Sequence, residues 1–424
     1  MTEARGSAPG RRPVEAAGSQ SAGRALGPLW MQIYLPNLII ATGQGAMIPV
    51  LVFAAKHVHA SPAVATLVVF VNGFGTMLFD LPAGRIVARV GEQRSSWVAA
   101  ALLGGGLLGC LYSRNVLELS FFIFVQAAGW AVWSLVRLTH LSRVAPAWAR
   151  GRALSIFGGV TRAGNVFGPF IFLAVAGHED QKHVAVAFLI YLITVGIGFV
   201  WLVLARDKSD HAASESNSER IRPMKVVLDS KREFATAGVA TLGVSLLRGS
   251  RNAIIAVWGS HIGLSASQVS VIFAFSSLLD LTLFYPSGVV SDRFGRRAVA
   301  VPCIALLSLG HLLIPLSHSF DSLFVVALVL GFGNGMGSGI VMTLGADRAP
   351  TVGRASFLAV WRMVADGGTA GGPLIDAVVV GLGAIALAGP VVGVVGLGCG
   401  LVVLRYLKEP PRQREIVRDI PQST

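Results

Sequence analysis

The sequence predicts an all-α membrane protein: twelve transmembrane helices arranged as two pseudo-symmetric six-helix bundles. Three observations predict it. Of the 424 residues, 53% are hydrophobic and 13% are charged, against about a quarter charged in a soluble globular domain. The apolar residues fall in runs long enough to cross a bilayer, which takes roughly 20 residues per helix. The chain also repeats itself at a shift of 204 positions. His57 falls on His261, Ser61 on Ser265, Pro82 on Pro286 and Gly129 on Gly333. Pro146 falls on Pro350, Arg150 on Arg354, Gly164 on Gly368, and Gly168-Pro169 on Gly372-Pro373. Chance matches in an apolar chain would be Leu, Val and Ala; these are residues that set backbone geometry and topology. Parallel repeats of about 200 residues in a hydrophobic chain point to a two-bundle secondary transporter.

Residues 1–27 are rich in Ala, Gly, Ser and Arg and are expected to form a disordered cytoplasmic tail. The first apolar run is too long for a signal peptide, and many more follow it. Spans are expected near 29–55, 62–87, 97–113, 117–141, 153–176 and 184–204, giving an N-terminal bundle over 28–205. A polar stretch, 206–232, is expected as a cytoplasmic tether. Spans near 234–260, 267–290, 299–316, 320–345, 355–380 and 384–407 give a C-terminal bundle over 233–407, and 408–424 forms a basic tail.

Charge sets the orientation. With the N-terminus inside, the inside segments hold Arg85, Arg89, Arg94, Arg143, Arg150, Arg152, the linker, Arg293, Arg296, Arg297, Arg348 and Arg354. The outside segments hold only Lys56, Arg114 and Lys182. This is the positive-inside pattern. A monomeric multi-pass protein of the plasma membrane, embedded in the lipid bilayer with both termini cytoplasmic, is expected.

The formal charge of +13 does not imply nucleic-acid binding, because the basic residues sit in short segments between apolar runs. Cys110, Cys303 and Cys399 all lie inside apolar runs, so no disulfide framework is expected. No nucleotide-binding loop, zinc-ligand cluster or nucleophile elbow appears. Neither an enzyme activity nor a cofactor or metal is expected.

The stretch between the eighth and ninth spans reads Gly288-x-x-x-Asp292-Arg293-x-Gly295-Arg296-Arg297. Its first-half copy is worn: Gly84, Arg89, Gly91 and Arg94 remain, Ala88 replaces the Asp, and Glu92 and Gln93 replace the two basic residues. The fifth span carries Arg162, Gly164, Gly168 and Pro169, and the first carries Gly43, Gly45 and Pro49-Val50-Leu51. Small residues four apart flatten a helix face and let backbones approach; the paired Gly164–Gly168–Pro169 and Gly368–Gly372–Pro373 sets are expected at close helix contacts.

These motifs resemble the major facilitator superfamily over nearly the whole chain. The loop motif matches that family's best-known signature, and the fifth- and first-span motifs partially resemble its twelve-span drug–proton antiporter branch. The resemblance implies the major facilitator fold. It also implies a conformational latch at Gly288, Asp292, Arg293, Gly295, Arg296 and Arg297, with Gly84, Arg89 and Gly91 as the degraded first-half part. Asp80, near Arg137, is expected to substitute for the missing first-half Asp.

Ionisable residues inside spans are costly and mark functional sites. The basic set is Arg137, Arg162, Arg248, Arg251 and Arg362; the acidic set is Asp80, Asp280, Asp366 and Asp376. Asp280 lies twelve residues before Asp292, so roughly 18 Å from that end and near the midplane. Asp366 and its repeat counterpart Arg162 have similar depth and are expected across a central cavity or just behind it, and Arg362 and Asp366, four apart, can pair within their own helix. Arg248 and Arg251 share one helix face, opposite their counterparts Gln44 and Met47 in the first half. Arg162, Arg248, Arg251, Arg362 and Gln44 are thus candidates for a substrate cavity, and Asp280 with Asp366 for proton coupling. His311 is a weaker proton candidate, and Asp376 is expected at the cavity mouth.

The function expected is a proton-coupled secondary transporter, exporting small amphiphilic compounds by alternating access. Two alternatives stand beside it: a carrier for an anionic metabolite held by the intramembrane arginines, and a non-transporting receptor or scaffold on the same fold.

Overall fold

The computed structural model describes residues 29–146, 150–176, 184–204, 228–350 and 353–407. The expected tails 1–27 and 408–424, and most of the expected linker 206–232, lie outside these residues. Among the described residues the chain is helical, without strands. Nine helical segments are long and apolar enough to cross a membrane. One of them, Pro62–Tyr112, is two rods broken at Gly91. Two further segments, around Val239–His261 and Arg354–Gly381, have the length but carry several of the intramembrane charges.

Twelve membrane-length helices result. We number them α1 Trp30–His57; α2 62–90; α3 92–112; α4 Val116–Val144; α5 Arg150–Ala176; α6 Val184–Leu204; α7 231–261; α8 Ala266–Phe294; α9 Arg297–Leu316; α10 Phe320–Arg348; α11 Arg354–Gly381; and α12 Ile385–Tyr406. The expected spans coincide with them, but several helices run three or four residues further at the arginine-rich ends. Hydropathy marks where the apolar layer stops. Backbone hydrogen bonding continues past that point until a residue breaks it.

The breaks themselves repeat. Gly91 has φ 83 and ψ 168, and Gly295 has φ 94 and ψ 168. Both sit in the left-handed region that a residue with Cβ rarely adopts. Starts repeat as well. Ser61 and Ser265 each accept the backbone N–H three residues on, as do Asn115 and Ser319, so four helices are capped by side chains at corresponding positions.

Packing follows the same register. A Cβ added at Gly164 would lie 2.9 Å from the Leu38 carbonyl oxygen, and one at Gly368 would lie 2.7 Å from that of Leu242. At Gly168 it would collide with the backbone of Thr42 and Ala46, and at Gly372 with Leu246 and Ser250. The expected close contacts are therefore α5 on α1 and α11 on α7, each closed by glycines. Outward faces are apolar: Leu189, Ile193, Ile197 and Val200 on α6, and Leu387, Val394 and Leu401 on α12, are all exposed. Such stripes suit lipid, where only helices and closed barrels satisfy their backbones internally.

The two halves meet mainly through α2 against α11 and α5 against α8. At the face opposite the arginine-rich loops, Lys56 Nζ on α1 donates to Ser260 Oγ on α7 at 2.5 Å.

Candidate functional site

The α5–α8 contact carries a charged network centred on Asp280. The residue is 8% exposed on α8. Arg162 of α5 donates through Nη1 to both carboxylate oxygens, at 2.9 and 3.2 Å. Asn334 of α10 donates at 2.6 Å and the Ser338 hydroxyl at 3.3 Å. The Arg162 guanidinium also lies 5.4 Å from the Phe284 ring centroid, a cation–π contact.

A break in α10 positions these partners. Its first part ends at Met336 and the second begins at Ile340. Glycine occupies every second position from Gly331 to Gly339, so the helix lacks the side-chain packing that would hold it straight. Carbonyls freed within the bilayer need donors. Arg248 supplies them, with Nη2 donating to the Asn334 and Gly337 oxygens at 3.3 and 2.8 Å. A cation at the C-terminal end of a helix segment also meets its dipole favourably. The break thus turns Asn334 and Ser338 toward Asp280 and its carbonyls toward Arg248.

Arg251 is 5% exposed and donates to the Ser276 hydroxyl at 2.7 Å. Ser276 in turn donates to the Ala327 carbonyl. Both arginines, expected to line a cavity, bond within the C-terminal half: Arg248 ties α7 to α10 and Arg251 ties α7 to α8. Gln44, 9% exposed on α1, is largely enclosed as well.

A second bridge crosses the α2–α11 contact. Arg362 donates to Asp80 through Nη2 at 2.9 Å and Nε at 3.2 Å, and reaches Asp366 one turn along its own helix at 3.4 Å. The pairing of Arg362 with Asp366 is the one that their spacing allows, and Arg162 pairs with Asp280. Arg137 does not meet Asp80; it donates to Ser96 at 2.7 Å and lies 4.9 Å from the Trp133 ring centroid.

The loop motif makes its resolved bonds within the C-terminal half. Arg296 donates to Asp292 and to Asp347 of α10, both at 2.8 Å, and to Ser291 at 2.7 Å. Burial lowers the Arg296 pKa, and the Asp347 and Asp292 carboxylates more than offset that, leaving it raised. Arg297 donates to the Leu404 carbonyl of α12. Gly288 meets nothing that a Cβ would disturb, and Arg293 and Arg89 are exposed. Gly84 is half-buried on α2, where an added Cβ would lie 3.8 Å from Leu135.

The first-half copy is not simply worn. Glu92 occupies the position of Arg296, and Arg143 that of Asp347. They form the same bridge with the signs exchanged: Arg143 Nη2 donates to Glu92 at 2.7 Å, and His140 Nδ1 donates to the same oxygen at 2.7 Å. Burial raises the Glu92 pKa, but His140 and Arg143 more than offset it and leave it below the ordinary carboxylate range. Sequence reading missed this pair, together with Asn334, Ser338 and Ser276. The signal was present as opposite charges at both positions under the 204 shift, and in the α10 glycines.

Asp376 is also misplaced by the sequence reading. It is fully buried, 0% exposed, inside the C-terminal half and not at a cavity mouth. Among the described residues no group of His, Cys, Asp and Glu could hold a metal ion.

The fold and the charged inter-bundle contacts define a multi-pass membrane protein built as two six-helix halves. The sequence profile of the Major Facilitator Superfamily matches residues 33–258 and again 234–423; the chain belongs to that superfamily. It is 27% identical over 162 residues to the "Hexuronate transporter" of Bacillus subtilis (strain 168), covering 37% of each chain. It thus spans just over a third of that relative's length. Its fold is similar to a POT family transporter in complex with a thioalcohol-conjugated peptide, with TM-score 0.72 at 14% identity over 90% of this chain and 95% of the other. It is also similar to a D-xylose-proton symporter, with TM-score 0.70 at 13% identity over 91% and 98%. The relatives and solved structures that it resembles are described as transporters.

Proposed function

We propose that the protein is a proton-coupled transporter that exports small amphiphilic compounds from the cell by alternating access. The arginine-rich face is cytoplasmic in this reading, with both termini on that side of the plasma membrane. The observation that carries it is Asp280, 8% exposed and bonded across the bundle interface to Arg162. A carboxylate there takes up a proton at the cost of its bond to Arg162, so protonation loosens the α5–α8 contact. A ligand and a proton drive the change only through different affinities for the two states. Asp366 has the same option with Arg362, shared with Asp80.

The cargo follows from the arginines. Arg162 and Arg362 are neutralised by aspartates, and Arg248 and Arg251 are spent on carbonyls and Ser276. A cavity whose cations already have partners favours neutral or cationic amphiphiles over anions. The partial Gly164–Gly168–Pro169 motif supports the antiporter direction.

The second reading is an anionic sugar acid or similar metabolite, favoured by the similarity to the hexuronate transporter. Purified protein in liposomes enclosing a pH-sensitive dye separates the two. Under an imposed pH gradient, proton release triggered by lipophilic cations or neutral drugs, and lost in Asp280→Asn, is expected. A response only to organic anions, lost in Arg162→Gln, would replace the first reading with the second.

A further inference from the structure

We propose that Asp376, Ser250 and His311 form a proton-binding site inside the C-terminal half, separate from the Asp280 and Asp366 bridges. Asp376 (α11) and His311 (α9) are each 0% exposed, as is Ser250 (α7). Asp376 lies one turn beyond Gly372, on the face that packs α11 against the Ser250 backbone, and Ser250 is the polar side chain that faces it. Arg251, one residue further along α7, is the charged group whose field acts on His311. It is directed to Ser276 on α8. α12 meets His311 with Gly389 and Gly393 and brings no charge.

Hydrogen counting locates the proton. His311 Nδ1 lies 2.7 Å from the Leu307 carbonyl, which can only accept, so Nδ1 carries hydrogen. In the neutral ring Nε2 is then an acceptor, and Ser250 Oγ, 3.1 Å away, donates to it. While the ring is neutral Ser250 has no second hydrogen to give, and neither Asp376 oxygen has a partner at hydrogen-bond distance. An ionised carboxylate enclosed without donor or counter-ion is among the costliest groups a protein can bury. A proton on Asp376 removes the charge and lets the acid turn its O–H toward the free lone pair of Ser250.

The duplication supplies a control for the alternative, that the polar trio is merely structural. Under the 204 shift, Ser250, His311 and Asp376 correspond to Ala46, Leu107 and Phe172, which are all 0% exposed. The same place in the N-terminal half is filled by apolar side chains against the same glycine pattern. The scaffold therefore packs without a carboxylate, a hydroxyl or an imidazole there, and their presence in one half calls for another role. Asp376 lies five residues before Gly381, the end of α11, so roughly 8 Å from the face opposite the arginine-rich loops. The proton is exchanged with that side. Losing it leaves an uncompensated charge pressed against α7 and favours separation of α11 from α7.

Infrared spectroscopy of the full chain in nanodiscs tests this without reference to transport. Wild type at neutral pH should show the C=O stretch of a protonated carboxylic acid, shifted by deuterium exchange. The band should vanish in Asp376→Asn and remain in Asp280→Asn and Asp366→Asn. His311→Leu and Ser250→Ala, which copy the first half, should move the band without abolishing it; they carry the test if Asp376→Asn does not fold. A wild-type spectrum without the band, or a band unchanged in all three cluster variants, would overturn the proposal. So would a band that appears only when sodium is removed, since the carboxylate would then be a cation ligand. Because none of these readouts depends on transport or on a proton at Asp280, the efflux reading can fail while this site stands.

Discussion

The charge-exchanged bridge at the arginine-rich face makes the sharpest prediction. Glu92 and Arg143 in one half, and Arg296 and Asp347 in the other, are corresponding pairs bonded at 2.7 and 2.8 Å. If geometry and not sign matters at this position, exchanging Glu92 and Arg143 should be tolerated, whereas either single change should not. A charge-assisted hydrogen bond contributes about 1.5–3 kcal/mol when sheltered. The Arg143 side chain is 38% exposed, which discounts the bond to about 1 kcal/mol. Glu92→Arg loses that bond and sets a guanidinium against Arg143, so about 2 kcal/mol in all is expected from lost bond and like-charge repulsion. Arg143→Asp opposes two carboxylates and should cost a similar amount.

For a half of this size, 1 kcal/mol corresponds to about 2–4 °C in melting temperature. Each single variant should therefore melt about 4–8 °C lower in detergent or nanodiscs by the same scaling. The double variant, Glu92→Arg with Arg143→Asp, copies the C-terminal pair and should recover most of the loss. Alkaline buffer is the right condition, because a protonated His140 would oppose the new arginine. A double variant as unstable as the sum of the singles would refute the reasoning, and would mean that the local field around His140 fixes the sign.

Further outcomes follow from the same geometry. Glu92 has its folded pKa below the ordinary value, so it stabilises the fold above the unfolded carboxylate range; that contribution is lost as pH falls through the lower, folded value. Glu92→Gln should accordingly flatten the acid limb of a melting-temperature-versus-pH curve. Gly372→Ala should cost about 1–3 kcal/mol from overpacking, read as a lower melting temperature, because the new Cβ would sit 2.5 Å from the Ser250 nitrogen. Arg248→Lys should destabilise more than its conserved charge suggests, since one ammonium on a shorter reach replaces a fork bonded to two carbonyls of the α10 break. Asp80→Asn should weaken the α2–α11 bridge and raise accessibility of cysteine probes placed along that interface.

The helices, their order and their ends were legible because hydropathy, caps and glycines are local signals. Ser61, Asn115, Ser265 and Ser319 each cap a helix where the sequence places a loop. The glycine contacts at Gly164, Gly168, Gly368 and Gly372 were legible as well, since spacing alone puts them on one face. Pairing of charges was not. Arg162 had two aspartates at compatible depth, Asp280 and Asp366, and the choice of Asp280 depends on which helix of the other half lies beside α5. Depth along a helix is written in residue number, but azimuth and neighbour are settled by packing. The role of Arg248 depended on a helix break that a regular span does not contain, and Asp376 looked peripheral because distance from the helix end says nothing about which way the side chain points.

The two inter-bundle bridges reveal how a duplicated scaffold can be reused. Backbone determinants repeat at 204, but Asp80 and Asp280 are 200 apart, as are Arg162 and Arg362. The cation stands on α5 or α11 and the anion on α8 or α2, so the bridges are related by the pseudo-symmetry yet offset by one helical turn, about 6 Å. A whole turn is the smallest slip that keeps a side chain on the same face, so the interface preserves the bond while changing its depth. Asp80 lies eleven residues from the break at Gly91, and Asp280 lies fifteen from the one at Gly295. The α2–α11 bridge is therefore nearer the arginine-rich face and the α5–α8 bridge nearer the middle. When rigid halves rock about a central axis, separation grows with distance from that axis. If the halves rock as proposed, the shallower Asp80–Arg362 bond should lengthen first, and Arg162–Asp280, braced by Asn334 and Ser338, should hold longest. One interface would then part first and the other act as the pivot, an order that an offset of one turn is sufficient to create.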